Sequence, residues 1–273
     1  MDHLPKISII VSTYNWPEAL NLVLIALNNQ SYQKFEVLVA DDGSTQDTRQ
    51  LVERHQIDYK QPLHHIWHED LGFRLSAIRN RAIKSCDGQY LIFLDGDCIP
   101  RSNFIEAHAY LAKQGKFVTG NRILLSKEFT QTVLRKQIHI HQNSLIQWVK
   151  HRLYGDINRL LPLLTLSLKW WRDRNQSEWR RAIGCNIAAW KTDLLHTNGF
   201  DEDFVGWGYE DSDLVMRLIN TGVYRREGRY ATGVIHLWHP ETEKNAANSN
   251  LQQLMNTQNS QKTIAKNGIE QLS

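Results

Sequence analysis

The chain has 273 residues, a formal net charge of +3, and 41% hydrophobic and 22% charged residues. These values are close to the average of soluble globular proteins and exclude the disordered and fibrous classes, and the small net charge does not indicate a nucleic-acid-binding protein. The length allows one large α/β domain or two small lobes.

The sequence also indicates a compartment. Cys86, Cys98 and Cys185 are odd in number and lack the spacing of a metal site, which favours a reducing environment over a disulfide framework. Residues 1–15 lack the charged region, long apolar region and cleavage site of a signal peptide, and no apolar run is long enough to span a bilayer. We therefore expect a cytoplasmic protein.

Short β-branched runs alternate with segments of helical periodicity along residues 7–120. In the first helical segment Leu20, Val23, Leu24 and Leu27 recur at intervals of three and four, which predicts one apolar stripe. The order β-α-β-α is typical of a parallel sheet that binds its ligand at the carboxyl ends of the strands. The predicted elements are strand 7–12, helix 18–29, strand 35–40, helix 45–55, helix 76–84, strand 90–94, helix 103–114, strand 116–120, helix 211–220 and strand 231–235.

The composition changes after this alternation. Residues 134–181 carry ten Lys or Arg against three acids, with leucines and tryptophans interleaved. We interpret this stretch as a helical excursion from the core, and residues 183–240 as the return to it.

An acidic turn follows the predicted strand 90–94. Asp95 and Asp97 offer hard oxygen ligands for Mg²⁺ or Mn²⁺ bound to a diphosphate, and Gly96 between them lets a bulky ligand approach the backbone. Taken alone, an acid-Gly-acid turn is typical of a solvated loop. Its position at a strand end favours a site.

Two more polar turns follow predicted strands. Residues 41–44, Asp-Asp-Gly-Ser, come after the second strand, and Tyr14 and Asn15 come after the first. The turn 41–44 can equally cap the helix 45–55, since Ser and Asp side chains accept from the first free amides of a helix. Three polar turns at the carboxyl ends of parallel strands converge on one rim of the sheet, which indicates a binding site there.

Residues 206–213 alternate glycines with aromatic residues and then begin the next predicted helix with acids. The ring of Trp207 or Tyr209 can stack on the apolar face of a sugar, and the Asp211 carboxylate can accept a proton from a hydroxyl. The alternative is that Asp211 and Asp213 only favour a helix N-terminus.

His236 and His239 follow the predicted strand 231–235. One imidazole could complete a metal site begun by a carboxylate, although lone histidines are usually structural. The residues alone leave both histidines open as ligands.

Taken together, these segments resemble a family-2 glycosyltransferase of the GT-A fold, and the C-terminal third resembles the galactosyltransferase-like bacterial capsule and lipooligosaccharide enzymes. The resemblance covers about residues 6–125 and 183–240. It implies an α/β fold with a Rossmann-like, mostly parallel central sheet flanked by helices, and with the basic stretch as a helical insertion. The matching segments are, in the family's order, 11–15, 41–44, 79–80, 95–97, 199–202 and 206–211.

The resemblance also implies an organisation of the chain. Residues 1–125 form the nucleotide-sugar-binding half, 126–182 the helical basic and aromatic excursion, and 183–240 the acceptor-binding and catalytic half. Residues 241–273 form a C-terminal tail, in which we expect a helix.

On the donor side, the resemblance implies that Ser12, Tyr14 and Asp42 hold the uracil and ribose of a UDP-sugar. It places Arg74 near the phosphates, and Asp95 against the ribose or the water shell of the metal.

The resemblance implies a Mn²⁺ or Mg²⁺ site as well. Asp97 is implied to be a ligand. His236 aligns best with the family's C-terminal ligand, and His239 is the alternative.

On the acceptor side, the resemblance implies that Glu210 positions the acceptor sugar, with Trp207 and Tyr209 beside it, and that Asp211 is the catalytic base. The implied reaction is an inverting transfer of a hexose or N-acetylhexosamine from a UDP-sugar to a cell-surface glycan of the lipopolysaccharide, lipooligosaccharide or capsule class. Compared with animal galactosyltransferases, the cluster Tyr-Glu-Asp-Ser-Asp has serine at the third acidic position, which leaves the acceptor open.

Two other functions compete with this hypothesis. A nucleotidyltransferase would need a Gly-rich, basic triphosphate loop near the first strand, where the sequence has none. A catalytically silent sugar- or membrane-binding module would keep the fold without the chemistry.

The basic, Trp-rich residues 134–181 and a lipid-linked glycan acceptor together predict peripheral contact with the cytoplasmic face of the inner membrane. The alternative is that this stretch is a solvated helical face that covers the core.

Overall fold

The computed structural model describes residues 4–166, 169–182, 184–240 and 246–272. The β-strands are β1 (Ile7–Thr13), β2 (Phe35–Asp41), β3 (Leu63–Trp67), β4 (Tyr90–Asp95), β5 (Cys98–Pro100), β6 (Lys116–Thr119), β7 (Arg122–Leu124), β8 (Asn186–Trp190), β9 (Tyr224–Glu227) and β10 (Val234–His236). The α-helices are α1 (Pro17–Asn28), α2 (Gln46–Asp58), α3 (Leu75–Ser85), α4 (Phe104–Leu111), α5 (Lys127–Lys136), α6 (Leu145–Leu153), α7 (Lys191–His196), α8 (Glu210–Asn220) and α9 (Ala247–Ser260).

The central sheet has seven strands in the order β3-β2-β1-β4-β8-β6-β9. β1 is parallel to β2 and β4, and β6 is parallel to β9, whereas β8 runs antiparallel to both of its neighbours. A smaller sheet, β5-β10-β7, lies beside it. The predicted mostly parallel α/β sheet is confirmed, with β8 as the reversed strand.

The strands at the centre of the sheet are buried on both faces. In β1, Ile9 packs into a core with α1, α2 and α4, whereas the next residue, Ile10, packs into a second core with α3 and α8. Val37 and Leu38 alternate in the same way along β2. This two-sided burial explains why these strands read as continuous apolar runs, and each such side chain contributes roughly 1.5–3 kcal/mol on burial.

α1 follows from its own sequence. Pro17 occupies the first turn, where its fixed φ suits a helix and its missing N–H is not needed. The predicted apolar stripe, which includes Leu20 and Leu24, is fully buried against the sheet.

The predicted elements are present with ends shifted by a few residues, but the predicted helix cap at residues 41–44 is wrong. Thr45 precedes α2 without a side-chain cap bond. Instead, Asp41 Oδ1 accepts from Ser44 N and Asn15 Oδ1 accepts from Thr45 N, each at 2.8 Å. These bonds close the turn and tie it to the loop after β1.

The described part of residues 126–182 contains α5, α6 and short 3-10 helices at Ile140–Gln142, Leu161–Leu163 and Lys169–Trp171. Arg172, 4% exposed, fastens this segment to the sheet by donating to Glu227 O at 2.9 Å. In the C-terminal tail, α9 confirms the expected helix over Ala247–Ser260, while residues 241–245 lie outside the described ranges. Within those ranges, every helix is too short or too polar to traverse a bilayer.

Candidate active site

β1, β2 and β4 end side by side. The strand register pairs Thr13 with Asp41 and Ser12 with Asp95. Because the three strands are parallel, the turns that follow them leave the same edge of the sheet. The structure therefore brings the predicted polar turns to one rim.

Arg79, in α3, lies at the centre of this rim and is 1% exposed. Its Nε donates to Ser12 Oγ and its Nη2 donates to Asp95 Oδ1, both at 3.0 Å. Its Nη1 lies 3.8 Å from Glu210 Oε1, and the guanidinium carbon lies 5.2 Å from the centre of the Phe200 ring. One buried cation thus connects β1, β4 and the start of α8.

The sequence motif contained Arg79 but gave it no role. A signal was present, since Ile78, Ala82 and Ile83 mark the buried side of α3, and an arginine on that side needs partners. The structure also gives Ser12 a contact with Arg79 that the sequence did not indicate. Ser12 is only 7% exposed, and its hydroxyl oxygen holds Arg79.

Asp42 organises the part of the rim that follows β2. Its Oδ1 lies 2.6 Å from His68 Nε2, and its Oδ2 accepts from Arg74 N at 2.9 Å. Arg74 itself donates from Nη2 to Glu69 O at 2.8 Å. Asp42 and Arg74 are therefore held together at the start of α3.

Tyr14 lies across the same loop, with 53% of its surface exposed, and donates from its hydroxyl to Asp70 Oδ2 at 2.9 Å. Gly43, at φ +92°, allows this contact, because a Cβ there would lie 2.5 Å from Asp70 Cα. The exposed Tyr14 ring is thus fixed at the edge of the rim.

Asp97 faces both candidate histidines. Its Oδ2 lies 3.2 Å from His239 Nε2 and 3.6 Å from His236 Nε2. The smaller sheet produces this geometry, because β10 places His236 opposite Cys98 and Leu237 N donates to Asp97 O at 3.0 Å. The structure places both histidines, rather than one of them, beside Asp97.

The charges of this cluster depend on one another. Burial alone would raise the pKa of Asp97, but the hydrogen bond from His239 and the charges of both histidines lower it. The same hydrogen bond raises the pKa of His239, whereas burial lowers the pKa of His236. Burial raises the pKa of Asp95 to about 6, against the opposing charge of Arg79.

The donor atoms fit a hard divalent cation. Asp97 Oδ1 is buried without a hydrogen-bond partner among the described residues, so one carboxylate oxygen is open. His239 Nδ1 lies 2.7 Å from Pro240 O, so a neutral His239 carries its proton there and presents Nε2 as a ligand. Cys98 Sγ lies within 4.8 Å of the Asp97 and His236 ligand atoms, but burial raises the pKa of its thiol. The oxygen and nitrogen ligands suit Mn²⁺ or Mg²⁺.

Two acids begin α8, and the first of them, Glu210, faces Arg79. Glu210 is 9% exposed, and burial followed by the charge of Asp211 raises its pKa to about 7. Asp211 is half-buried and accepts from Ser212 N at 2.6 Å. A Cβ on Gly184 would lie 2.9 Å from Asp211 Oδ2, so the glycine leaves room for that carboxylate.

Asp213 has a structural role. It is fully buried, lies 2.7 Å from Arg217 Nε through Oδ2, and accepts from Thr257 Oγ1 at 2.7 Å through Oδ1. These contacts fix α8 against α9 and distinguish Asp213 from the half-exposed Asp211.

The loop before α8 is shaped by positive φ angles at Gly206, Gly208 and Tyr209. It presents Trp207 with 40% of its surface exposed. From α9, Asn250 Nδ2 donates to Gly208 O at 3.0 Å. The C-terminal helix, to which the sequence gave no role, therefore supports the predicted acceptor loop.

Comparison with known proteins agrees with this architecture. Residues 8–170 match the family model described as Glycosyl transferase family 2, and residues 171–239 match the model described as N-terminal domain of galactosyltransferase. A validoxylamine A glucosyltransferase from Streptomyces hygroscopicus subsp. jinggangensis is 28% identical over 242 residues, which cover 85% of this chain and 56% of that protein. A chondroitin synthase from Escherichia coli is 25% identical over 81% of this chain and 33% of its own length. The chain spans about half or less of these curated relatives.

Solved structures share the fold. Staphylococcus aureus TarS 1-349 in complex with UDP superposes with a TM-score of 0.64 at 17% identity, over 97% of this chain and 68% of that one. The mannosyltransferase PcManGT from Pyrobaculum calidifontis, in complex with GDP-Man and Mn²⁺, gives 0.60 at 18% identity, over 86% and 57%. The GT-A fold predicted from the sequence is confirmed.

Proposed function

The chain belongs to glycosyl transferase family 2, and from this membership we propose that it is an inverting, metal-dependent transferase. Its donor is a UDP-sugar carrying a hexose or N-acetylhexosamine, and its acceptor is a lipopolysaccharide, lipooligosaccharide or capsule glycan, free or lipid-linked. One observation carries the proposal. The buried Arg79 contacts Asp95 at the end of β4 and Glu210 at the start of α8, and Asp97, two residues after Asp95, lies beside His236 and His239.

The donor binds on the side of β1 and β2. Ser12, Tyr14 and Asp42 hold the uracil and ribose, and Arg74 lies near the phosphates. Asp95 contacts the ribose or the water shell of the metal. TarS, which shares the fold and was solved in complex with UDP and with UDP-GlcNAc, supports a uridine nucleotide as the donor.

Asp97, His236 and His239 would hold Mn²⁺ or Mg²⁺. When bound, the metal neutralises the negative charge that develops on the departing diphosphate. The open Asp97 oxygen and the proximity of both imidazoles support this ligand set, as does the Mn²⁺ in the PcManGT complex.

Asp211 is the catalytic base. It takes the proton of the acceptor hydroxyl while the hydroxyl oxygen attacks the anomeric carbon, and the bond from that carbon to the diphosphate breaks on the opposite face. Attack from the face opposite the departing diphosphate inverts the anomeric centre without a covalent sugar-enzyme intermediate.

Glu210, Trp207 and Tyr209 position the acceptor. With a pKa of about 7, Glu210 is about half protonated at neutral pH and largely protonated below it, and its protonated form can donate a hydrogen bond to an acceptor oxygen. The exposed ring of Trp207 offers a stacking surface for a sugar.

We extend the proposal to the organisation of the chain. Residues 1–125 bind the nucleotide-sugar, residues 126–182 form the basic and aromatic excursion, and residues 183–240 bind the acceptor. Residues 241–273 form a tail in which α9 supports the acceptor loop. A location on the cytoplasmic side of the membrane remains a prediction.

Thermal shift with a panel of UDP-sugars, each with Mn²⁺ and with EDTA, tests the proposal. A ligand at about 100 times its Kd stabilises the folded state by roughly 2.7 kcal/mol, so one UDP-sugar should raise Tm clearly in Mn²⁺ and little in EDTA. The stabilising sugar is then assayed for hydrolysis and for transfer to glycan acceptors.

Each competing function gives a different result. A nucleotidyltransferase would respond to UTP and release pyrophosphate from it, and a silent module would bind a UDP-sugar without hydrolysis or transfer. Either result, or the absence of any shift with uridine nucleotides, would contradict the proposal.

A further inference from the structure

The outer face of α6 is an exposed apolar surface. Leu145, Ile146, Val149 and Leu153 are 55%, 72%, 40% and 81% exposed. With 3.6 residues per turn, these four side chains occupy about 100° of the helix circumference. We call these four residues the α6 face.

The opposite side of α6 is firmly packed. Trp148 is 1% exposed, and the His151 ring lies 4.4 Å from the Phe129 ring of α5. His151 Nδ1 also lies 2.7 Å from Asp156 Oδ2, and a reciprocal capping box at Ser144 closes the N-terminus of the helix. The α6 face is therefore a fixed surface of a docked helix and does not come from a frayed end.

The charged side chains of α6 that border the α6 face are cations. Lys150 and Arg152 are exposed, and their positions in the helical period place them on the two edges of the face. Residues 134–166 contain five Lys or Arg and one acid, Asp156, whose carboxylate is bonded to His151. An apolar stripe bordered by cations is complementary to a surface with an apolar interior and a negative rim.

We infer that the α6 face inserts into an anionic lipid surface, with Lys150 and Arg152 at the level of the headgroups. Large exposed apolar patches mark interaction sites, and helices with this pattern lie in the plane of the membrane interface. The inference narrows the membrane contact predicted for residues 134–181 to one helix. It does not rest on the proposed transfer reaction.

Flotation with phosphatidylcholine vesicles, with and without phosphatidylserine and at low and high salt, tests the inference on the whole chain. The wild type should float with the anionic vesicles at low salt. The double variant Ile146→Asp, Leu153→Asp should retain less than about a tenth of this binding. The double variant Lys150→Gln, Arg152→Gln should bind roughly thirtyfold more weakly, because each cation near an anionic leaflet contributes about a fivefold factor.

Matched controls are available on α2. Ile57 is 78% exposed outside the α6 face, so Ile57→Asp should bind vesicles as the wild type does, and so should Lys60→Gln nearby. Circular dichroism and thermal melting confirm that each variant folds, and light scattering without lipid gives its mass.

Three results would overturn the inference. The first is that the wild type fails to float with anionic vesicles at low salt. The second is that the Ile146, Leu153 variant floats as well as Ile57→Asp. The third is that the α6 variants convert an oligomer into a monomer without changing vesicle binding, which would assign the α6 face to contact between copies of the chain. UDP-sugar binding is measured separately, so failure here is distinguishable from failure of the proposed function.

Discussion

Replacing Arg79 by methionine tests whether one buried cation holds the two sides of the site together. The substitution keeps most of the side-chain volume but removes the bonds to Ser12 and Asp95 and the charge beside Glu210. Breaking a buried ion pair costs about 3–5 kcal/mol because it leaves an uncompensated charge. We expect about 3 kcal/mol here, since 34% of the Asp95 side chain remains exposed.

The loss should depend on pH in a defined direction. Arg79 lowers the pKa values of Asp95 and Glu210, which burial raises to about 6 and about 7. Without Arg79 both folded-state values rise further, so the folded variant binds protons that the unfolded chain has already released. Its stability then falls as pH rises from about 5 to 8, and each added unit in the pKa of Glu210 costs about 1.4 kcal/mol at the upper end.

Urea unfolding of wild type, Arg79→Met and Arg79→Lys at pH 5 and pH 8, with EDTA present, measures this effect. The methionine variant should lose more stability at pH 8 than at pH 5. The lysine variant keeps the charge without the planar fork and should lie between the other two. A methionine variant within about 1 kcal/mol of wild type, or one with an equal loss at both pH values, would refute the reasoning.

Three further predictions concern the metal, a buried histidine and a glycine. Asp97→Ala should abolish activity, and His236→Ala and His239→Ala should each weaken Mn²⁺ affinity in a Mn²⁺ titration; full activity in excess EDTA would contradict the metal site. Burial lowers the pKa of His108 to about 3. Between about pH 3 and pH 6.5, His108 is therefore neutral in the folded state but protonated in the unfolded chain. Relative to His108→Gln, the wild type should therefore lose about 2 kcal/mol of stability between pH 7 and pH 5 in urea unfolding. In Gly184→Ala the new methyl group should displace the Asp211 carboxylate and lower kcat roughly ten- to hundredfold with donor Kd unchanged. An unchanged kcat would show that the position of this carboxylate does not depend on the glycine.

The sequence predicted the long strands at the centre of the sheet. β1, β2 and β4 are continuous apolar runs because both of their faces are covered, and their order along the chain indicated where the acidic turns would meet. β3 was missed, since His64 and His65 interrupt its apolar pattern near the edge of the sheet. β8 was not predicted as a strand, and its reversed direction could not be predicted either, because strand direction depends on the connections and not on local composition.

The remaining features of the site depend on contacts between distant residues. The partners of Arg79 lie on β1, β4 and α8, so its sequence neighbours could not show that its guanidinium is a centre of the site. The choice between His236 and His239 could not be made from the sequence, because pairing of β10 with β5 brings both rings to Asp97. The support of the acceptor loop by Asn250 likewise required the position of α9.

The separation of the donor side from the acceptor side is tested most directly by Asp211→Asn. Asparagine preserves the shape of the side chain but cannot take the acceptor proton. With the UDP-sugar identified by thermal shift, kcat should fall roughly 10²–10⁴-fold while donor Kd stays close to wild type. Asp47→Asn, an exposed acid on α2, serves as the matched control and should change neither value. An Asp211→Asn variant with near-normal kcat, or one that loses donor binding together with kcat, would contradict the assignment of Asp211 as the base.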